Sequence, residues 1–267
     1  MTRQQLIATI RERQSFLCVG LDPDPDRIPQ RFDGDVLAFN RAIIDATRDY
    51  CVAYKPNTAF YEALGLDGTA LLRDTIAYIG DSHFVIADAK RGDIGNTSRY
   101  YARFAFETLG ADAITVAPYM GSDSVAPFLE TAGKWSILLA LTSNEGSHDF
   151  QEAVQEDTKT TLYEKVMRRA MDWGGPEQLM FVCGATQAAK FAELRRISPD
   201  HFFLVPGVGA QGGDLGAVCR HGMTEDCGLL VNSSRGILYA SDPARAAAEL
   251  QQSMAEALRK YCPKLSR

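Results

Sequence analysis

No apolar run in this chain approaches the roughly 18–20 residues needed to cross a bilayer. Its opening stretch, MTRQQLIATIRERQ, lacks the long apolar segment of a secretory leader. A basic run is missing too, and the net charge is −6 at neutral pH. These absences argue against membrane and nonspecific nucleic-acid partners. Histidine is scarce: the four residues at 83, 148, 201 and 221 show no metal-ligand spacing, so no metal is expected. There is no Cys-x-x-Cys pair among the six cysteines. Cys18, Cys51 and Cys183 lie in apolar runs and read as small core residues, and the set reads as reduced thiols of a cytoplasmic protein. No stretch rich in Pro, Gly or Ser divides the chain, which excludes an obvious linker and favours a single domain over residues 1–267.

What is present is a regular alternation. Short apolar runs fall at 16–22, 52–57, 84–90, 113–118, 136–142, 178–185, 202–208 and 227–234. Segments with helical periodicity separate them, as at 36–50, 69–80, 97–109, 162–173 and 188–197. Strand and helix in strict alternation predict a parallel sheet covered by helices. Eight such units in a chain of 267 residues favour a closed (β/α)8 TIM barrel over an open doubly wound sheet. A helix over 3–13 precedes the first strand and is placed to cover the bottom of the barrel. Residues 143–161 form a long polar connection after the fifth strand, read as a lid or equally as a solvated insertion.

In such barrels the C-terminal ends of the strands carry the chemistry, and here those ends are polar. The first run ends in Asp22, the second carries Lys55, and the third ends in Asp88 and Lys90 with Asp93 just beyond. Strand alternation would put Phe84, Ile86, Asp88 and Lys90 on one face. A buried charge is costly unless paired, so this grouping points to chemistry more than to packing. The fifth run ends in Thr142-Ser-Asn144. The seventh leads into Pro206-Gly-Val-Gly-Ala-Gln-Gly-Gly213 and the eighth into Asn232-Ser-Ser-Arg-Gly236. Glycine-rich loops after strands seven and eight suit a phosphate, with an amide donor from Gln211 and a planar fork from Arg235. Each residue alone has a plainer reading. Asp22 could cap a turn, Lys55 could be a packed stem, Asp88 and Lys90 could be a structural ion pair, and Asp93 could cap a helix starting near 96. Taken together, the plainer readings require all four positions to converge on one barrel mouth by accident.

These residues resemble the orotidine 5′-phosphate decarboxylase family nearly end to end. Asp88-Ala-Lys-Arg-Gly-Asp-Ile-Gly-Asn-Thr97 is similar to its Asp-x-Lys-x-x-Asp-Ile-x-x-Thr motif. That form, together with Thr142-Ser-Asn144, resembles the longer bacterial branch. Val19-Gly-Leu-Asp22, Lys55, Pro206-Gly-Val-Gly-Ala-Gln211 and Ser234-Arg-Gly-Ile237 support the likeness. The resemblance implies cofactor-free decarboxylation of orotidine 5′-phosphate to UMP by a homodimer. Lys90 would protonate pyrimidine C6, Asp88 would lie against the substrate carboxylate, and Lys55 and Asp93 would complete an alternating charge network. Asp93, Ile94 and Thr97 would come from the partner subunit. Asp22 and Lys55 would touch the ribose, Ser143 the pyrimidine amide edge, and Pro206 the departing carboxylate; Gln211, Ser234 and Arg235 would hold the phosphate. Glu145 stands where the family pattern has proline. The Asp-x-Lys-x-x-Asp part alone is shared with metal-assisted sugar-phosphate decarboxylase and aldolase relatives. A Schiff-base aldolase and a nucleotide-binding protein without turnover are the other readings.

Overall fold

The computed structural model describes residues 1–208 and 213–266. Its strands are β1 (Leu17–Leu21), β2 (Ala53–Pro56), β3 (Phe84–Arg91), β4 (Ala113–Val116), β5 (Trp135–Leu141), β6 (Leu179–Cys183), β7 (Phe202–Pro206) and β8 (Leu229–Ser233). All pair in parallel, each with its sequence neighbour, and β1 closes on β8. This is the (β/α)8 barrel expected from the alternation of runs.

The strands are almost wholly apolar because both faces are covered. Side chains pointing inward fill the barrel, and those pointing outward pack under the helices. Trp135, Tyr54, Phe84, Phe181 and Phe202 are fully buried, each contributing about 1.5–3 kcal/mol of burial. Two of the helices that cover the barrel begin where short polar side chains take up free backbone N–H groups. Asp35 accepts from the Ala38 N–H at 2.9 Å and starts helix Val36–Thr47. Asp242, followed by Pro243, starts helix Pro243–Tyr261 in the same way.

Helix Arg3–Arg13 lies across the N-terminal ends of the strands, as expected. Leu6 and Ile10 are buried beneath it. The Arg3 guanidinium donates to the Pro176 carbonyl and to Asp226, and sits over the Phe202 ring. Segment 143–161 is more structured than a plain loop. It holds a short helix, Ser147–Phe150, and a bridge between Val154 and Thr161.

One local irregularity shapes the mouth of the barrel. β3 and β4 pair normally through Ile86–Ala113 and Ala87–Ile114, and next at Arg91–Val116. Three residues of β3, Asp88 to Lys90, therefore face the single residue Thr115 of β4. Simple alternation fails here: Lys90 has a φ of 48°, in the left-handed region, and it reaches Asp88 by way of a bulge rather than by strand pleating.

Candidate active site

The C-terminal ends of the strands enclose a cavity of about 440 Å³, and Asp22, Lys55, Asp88, Pro206, Ser234 and Arg235 are on its wall. Six of the residues singled out from sequence thus meet in one place. At its centre is the Asp88 carboxylate. Oδ2 accepts from Lys55 Nζ at 2.7 Å, and Oδ1 accepts from Lys90 Nζ at 2.6 Å and from Thr115 Oγ1 at 2.9 Å.

Burial sets the electrostatics of this group. Asp88 and Lys55 are 7% and 5% exposed. Burial alone would raise the Asp88 pKa, but the two flanking ammoniums hold the carboxyl well below the usual range. Burial alone would lower the Lys55 pKa. The adjacent Asp88 and the nearby Asp22 outweigh that, and the ammonium is held more firmly than an ordinary lysine. The Lys90 side chain is about half exposed, so one ammonium of the trio is free to meet a ligand while the other is fixed below.

The rim is built from the strand ends. Asp22 follows β1, and its Oδ1 is buried without a hydrogen-bond partner among the described residues. Its loop is tied down by Tyr239, whose hydroxyl accepts from the Asp24 N–H at 2.9 Å and donates to the Asp22 carbonyl at 3.3 Å. Arg27 lies 4.0 Å over the Tyr239 ring. Gly20 admits Ser234: a Cβ there would stand 1.8 Å from the Ser234 hydroxyl. Gly184, after β6, does the same for Ser143, whose hydroxyl a Cβ would meet at 2.1 Å. Ser143 Oγ is buried and has no partner among the described residues. Its neighbour Thr142 is gripped by Gln151, which accepts from the Thr142 N–H at 2.8 Å and donates to its hydroxyl at 2.9 Å.

Lys90 and Ser143 are not themselves on the wall of this cavity, and Lys90 is joined to it through Asp88. Asp93, Ile94 and Thr97 are not on it either. Asp93 accepts from the Ile94 N–H at 2.7 Å and forms no ion pair among the described residues. It stands beside the start of helix Gly95–Arg103 without capping it. Ile94 is 61% exposed, and Thr97 is exposed. Gln211 lies outside the described residues. Among those described, no group of three or more His, Cys, Asp or Glu is arranged to hold a metal ion, and no helix is long and apolar enough to cross a membrane.

Sequence reasoning missed Thr115, Gln151 and Tyr239. Thr115 sits inside an apolar strand and gives no sign of itself until the register with β3 is known. Gln151 lies within the 143–161 connection, where no single residue stands out in sequence, and Tyr239 lies past the last strand end.

The chain as a whole has known relatives. The family model for orotidine 5′-phosphate decarboxylase / HUMPS matches residues 15–250. The orotidine 5′-phosphate decarboxylase of Bacteroides fragilis is 54% identical, over 97% of this chain and 99% of the relative. That of Christiangramia forsetii is 57% identical, over 97% and 96%. Among solved structures, Leishmania donovani OMP decarboxylase superposes with a TM-score of 0.86 at 38% identity, covering 96% of this chain and 98% of that one. With the family model spanning most of the chain and relatives matching it almost end to end, this chain belongs to the orotidine 5′-phosphate decarboxylase / HUMPS family.

Proposed function

We propose that Lys90 delivers the proton to pyrimidine C6 when this chain decarboxylates orotidine 5′-phosphate to UMP, a step of pyrimidine biosynthesis. The observation that carries this reading is the Asp88 carboxylate, bound on one oxygen by buried Lys55 and on the other by half-exposed Lys90. In the reaction the bond from C6 to the carboxylate breaks, CO2 leaves, and the electron pair stays on C6. That carbon has no adjacent carbonyl to accept the pair. A fixed ammonium stabilises the developing charge and then transfers its proton to the same atom. Asp88 pairs with the Lys90 ammonium at 2.6 Å and fixes its direction. Placed next to the substrate carboxylate, it also disfavours the ground state more than the transition state.

The remaining roles extend the same reading. Arg235 and Ser234, with Gln211, hold the phosphate, where a guanidinium fork suits two oxygens. Asp22 and Lys55 meet the ribose hydroxyls, Ser143 reads the pyrimidine amide edge, and Pro206 lines the exit of CO2. Binding energy gathered at the phosphate drives closure of segment 143–161 and orients the ring. Asp93, Ile94 and Thr97 serve the second subunit of a homodimer, so that the partner subunit's Asp93 completes the Lys55–Asp88–Lys90 set. The exposure of Ile94 and Thr97, and the absence of an ion pair at half-buried Asp93 among the described residues, support this arrangement. All six cysteines are free and buried, in keeping with work in the cytoplasm.

The test is the ultraviolet absorbance of orotidine 5′-phosphate mixed with EDTA-treated protein, beside Lys90→Ala. The wild type turns the substrate over and the variant does not. A wild-type rate in folded Lys90→Ala removes Lys90 from proton transfer. Activity that requires added Mg²⁺ moves the chain to the sugar-phosphate side of the family.

A further inference from the structure

We propose that Thr115 is a positioning residue for the proton donor: its hydroxyl locks the bulge that aims Lys90 at the substrate. This rests on the reading of Lys90 given above.

The argument begins with register. Between the pairs Ala87–Ile114 and Arg91–Val116, β3 advances four residues while β4 advances two. Asp88, Ala89 and Lys90 crowd against one residue, and that residue is Thr115. The crowding turns Lys90 into a left-handed conformation, φ 48°, which residues other than glycine rarely adopt. Such a backbone persists only where its surroundings hold it. Past the bulge, the Ala117 N–H donates to the Arg91 carbonyl at 2.8 Å and re-anchors the strand. Within the bulge, the Lys90 N–H donates to Thr115 Oγ1 at 2.8 Å.

The same hydroxyl donates to Asp88 Oδ1 at 2.9 Å, the oxygen that binds Lys90 Nζ at 2.6 Å. Backbone and side chain of Lys90 are thus tied to one point, from both ends. Thr115 is 1% exposed, so water cannot replace its hydroxyl without entering the core. A hydroxyl accepts and donates through a single oxygen. Valine has the same shape and can do neither. Serine can do both. Thr115 is not itself on the cavity wall; it acts through Asp88 and Lys90, by the direction in which the ammonium points.

The experiment compares Thr115→Val, Thr115→Ser and Lys90→Ala with wild type for kcat and KM on orotidine 5′-phosphate, with UMP affinity measured in parallel. Thr115→Val lowers kcat at least ten-fold, and leaves KM and UMP affinity within about three-fold. Thr115→Ser recovers most of the rate. The Lys90 amide, protected from hydrogen exchange in wild type and in Thr115→Ser, exchanges faster in Thr115→Val. A folded Thr115→Val with wild-type kcat overturns the proposal, as does Thr115→Ser as slow as Thr115→Val. An active Lys90→Ala overturns the proton-donor reading and the positioning role with it. Inactive Lys90→Ala beside fully active Thr115→Val overturns the positioning role alone.

Discussion

Replacing both members of the buried pair tests whether the Lys55–Asp88 contact serves stability or function. Lys55→Met removes the ammonium at nearly constant length. Asp88 keeps Lys90 and Thr115 as partners, so the cost falls at the low end for breaking a buried pair, about 3 kcal/mol. At about 2–4 °C per kcal/mol for a domain of this size, the melting temperature falls by roughly 6–12 °C. Asp88→Leu strands a lysine that is 5% exposed, leaving only Asp22 nearby, and costs about 3–5 kcal/mol. The double variant has no buried charge left to strand. Lys90, half exposed, turns to water, and only the Thr115 hydroxyl loses an acceptor. We expect its stability within about 1–2 kcal/mol of wild type, since apolar replacement of a buried pair is often neutral. Thermal melts followed by circular dichroism give the cycle, and the decarboxylation assay shows all three variants inactive. The reasoning is refuted if the double variant loses as much stability as the two single variants together, because the charges would then be independent.

Two further predictions concern assembly and pH. Mixing Lys90→Ala and Asp93→Ala subunits, each inactive alone, restores activity after subunit exchange, because a mixed dimer holds one site with neither change; silence after demonstrated exchange counts against a shared site. His83 is 2% exposed, and burial, aided by Arg13, pushes its imidazole down to about 4. Its folded pKa lies below the unfolded value near 6.5. The stability it contributes is therefore present above about pH 6.5 and is lost as pH falls toward 4, when the unfolded chain takes up the proton first. Urea midpoints at pH 4.5 and 7 should differ less in His83→Gln than in wild type, and an equal difference in both proteins would clear His83 of this role.

The barrel was legible because its strands are buried on both sides. Continuous runs such as 202–208 and 227–234 show as blocks of Val, Leu and Phe, and the observed strands Phe202–Pro206 and Leu229–Ser233 fall inside them. Helix Arg3–Arg13 was legible to the residue, helped by Thr2, which caps it together with Gln5. The helix expected over 97–109 begins at Gly95 and passes into a wider turn at Phe104–Thr108, a change of pitch that periodicity does not report. The meeting of Lys55, Asp88 and Lys90 was legible as well, because several charged residues fall at strand ends that a barrel brings to one mouth. Its supports were not. The bulge at Lys90 depends on how β3 and β4 slide past each other, which is a property of two strands and not of either sequence. The space beneath Ser143 and Ser234 is decided by Gly184 and Gly20 in neighbouring strands, and nothing local marks those glycines out from any other.

The seam between β1 and β8 bears on how the chain is made. Leu17, Cys18 and Val19 pair with Val231, Asn232 and Ser233, partners separated by most of the sequence. During synthesis β1 leaves the ribosome early and finds β2 quickly, but its other edge stays open until β8 follows. An apolar strand edge left unpaired is an invitation to the wrong partner. At about 5–20 residues per second, the wait lasts on the order of ten seconds or more. Behind the last strand come Ser234 and Arg235, and Tyr239, which fastens the first loop. A nascent chain therefore gains its closed wall and the Ser234–Arg235 side of its cavity together, at the end, and until then it depends on whatever shields an open barrel.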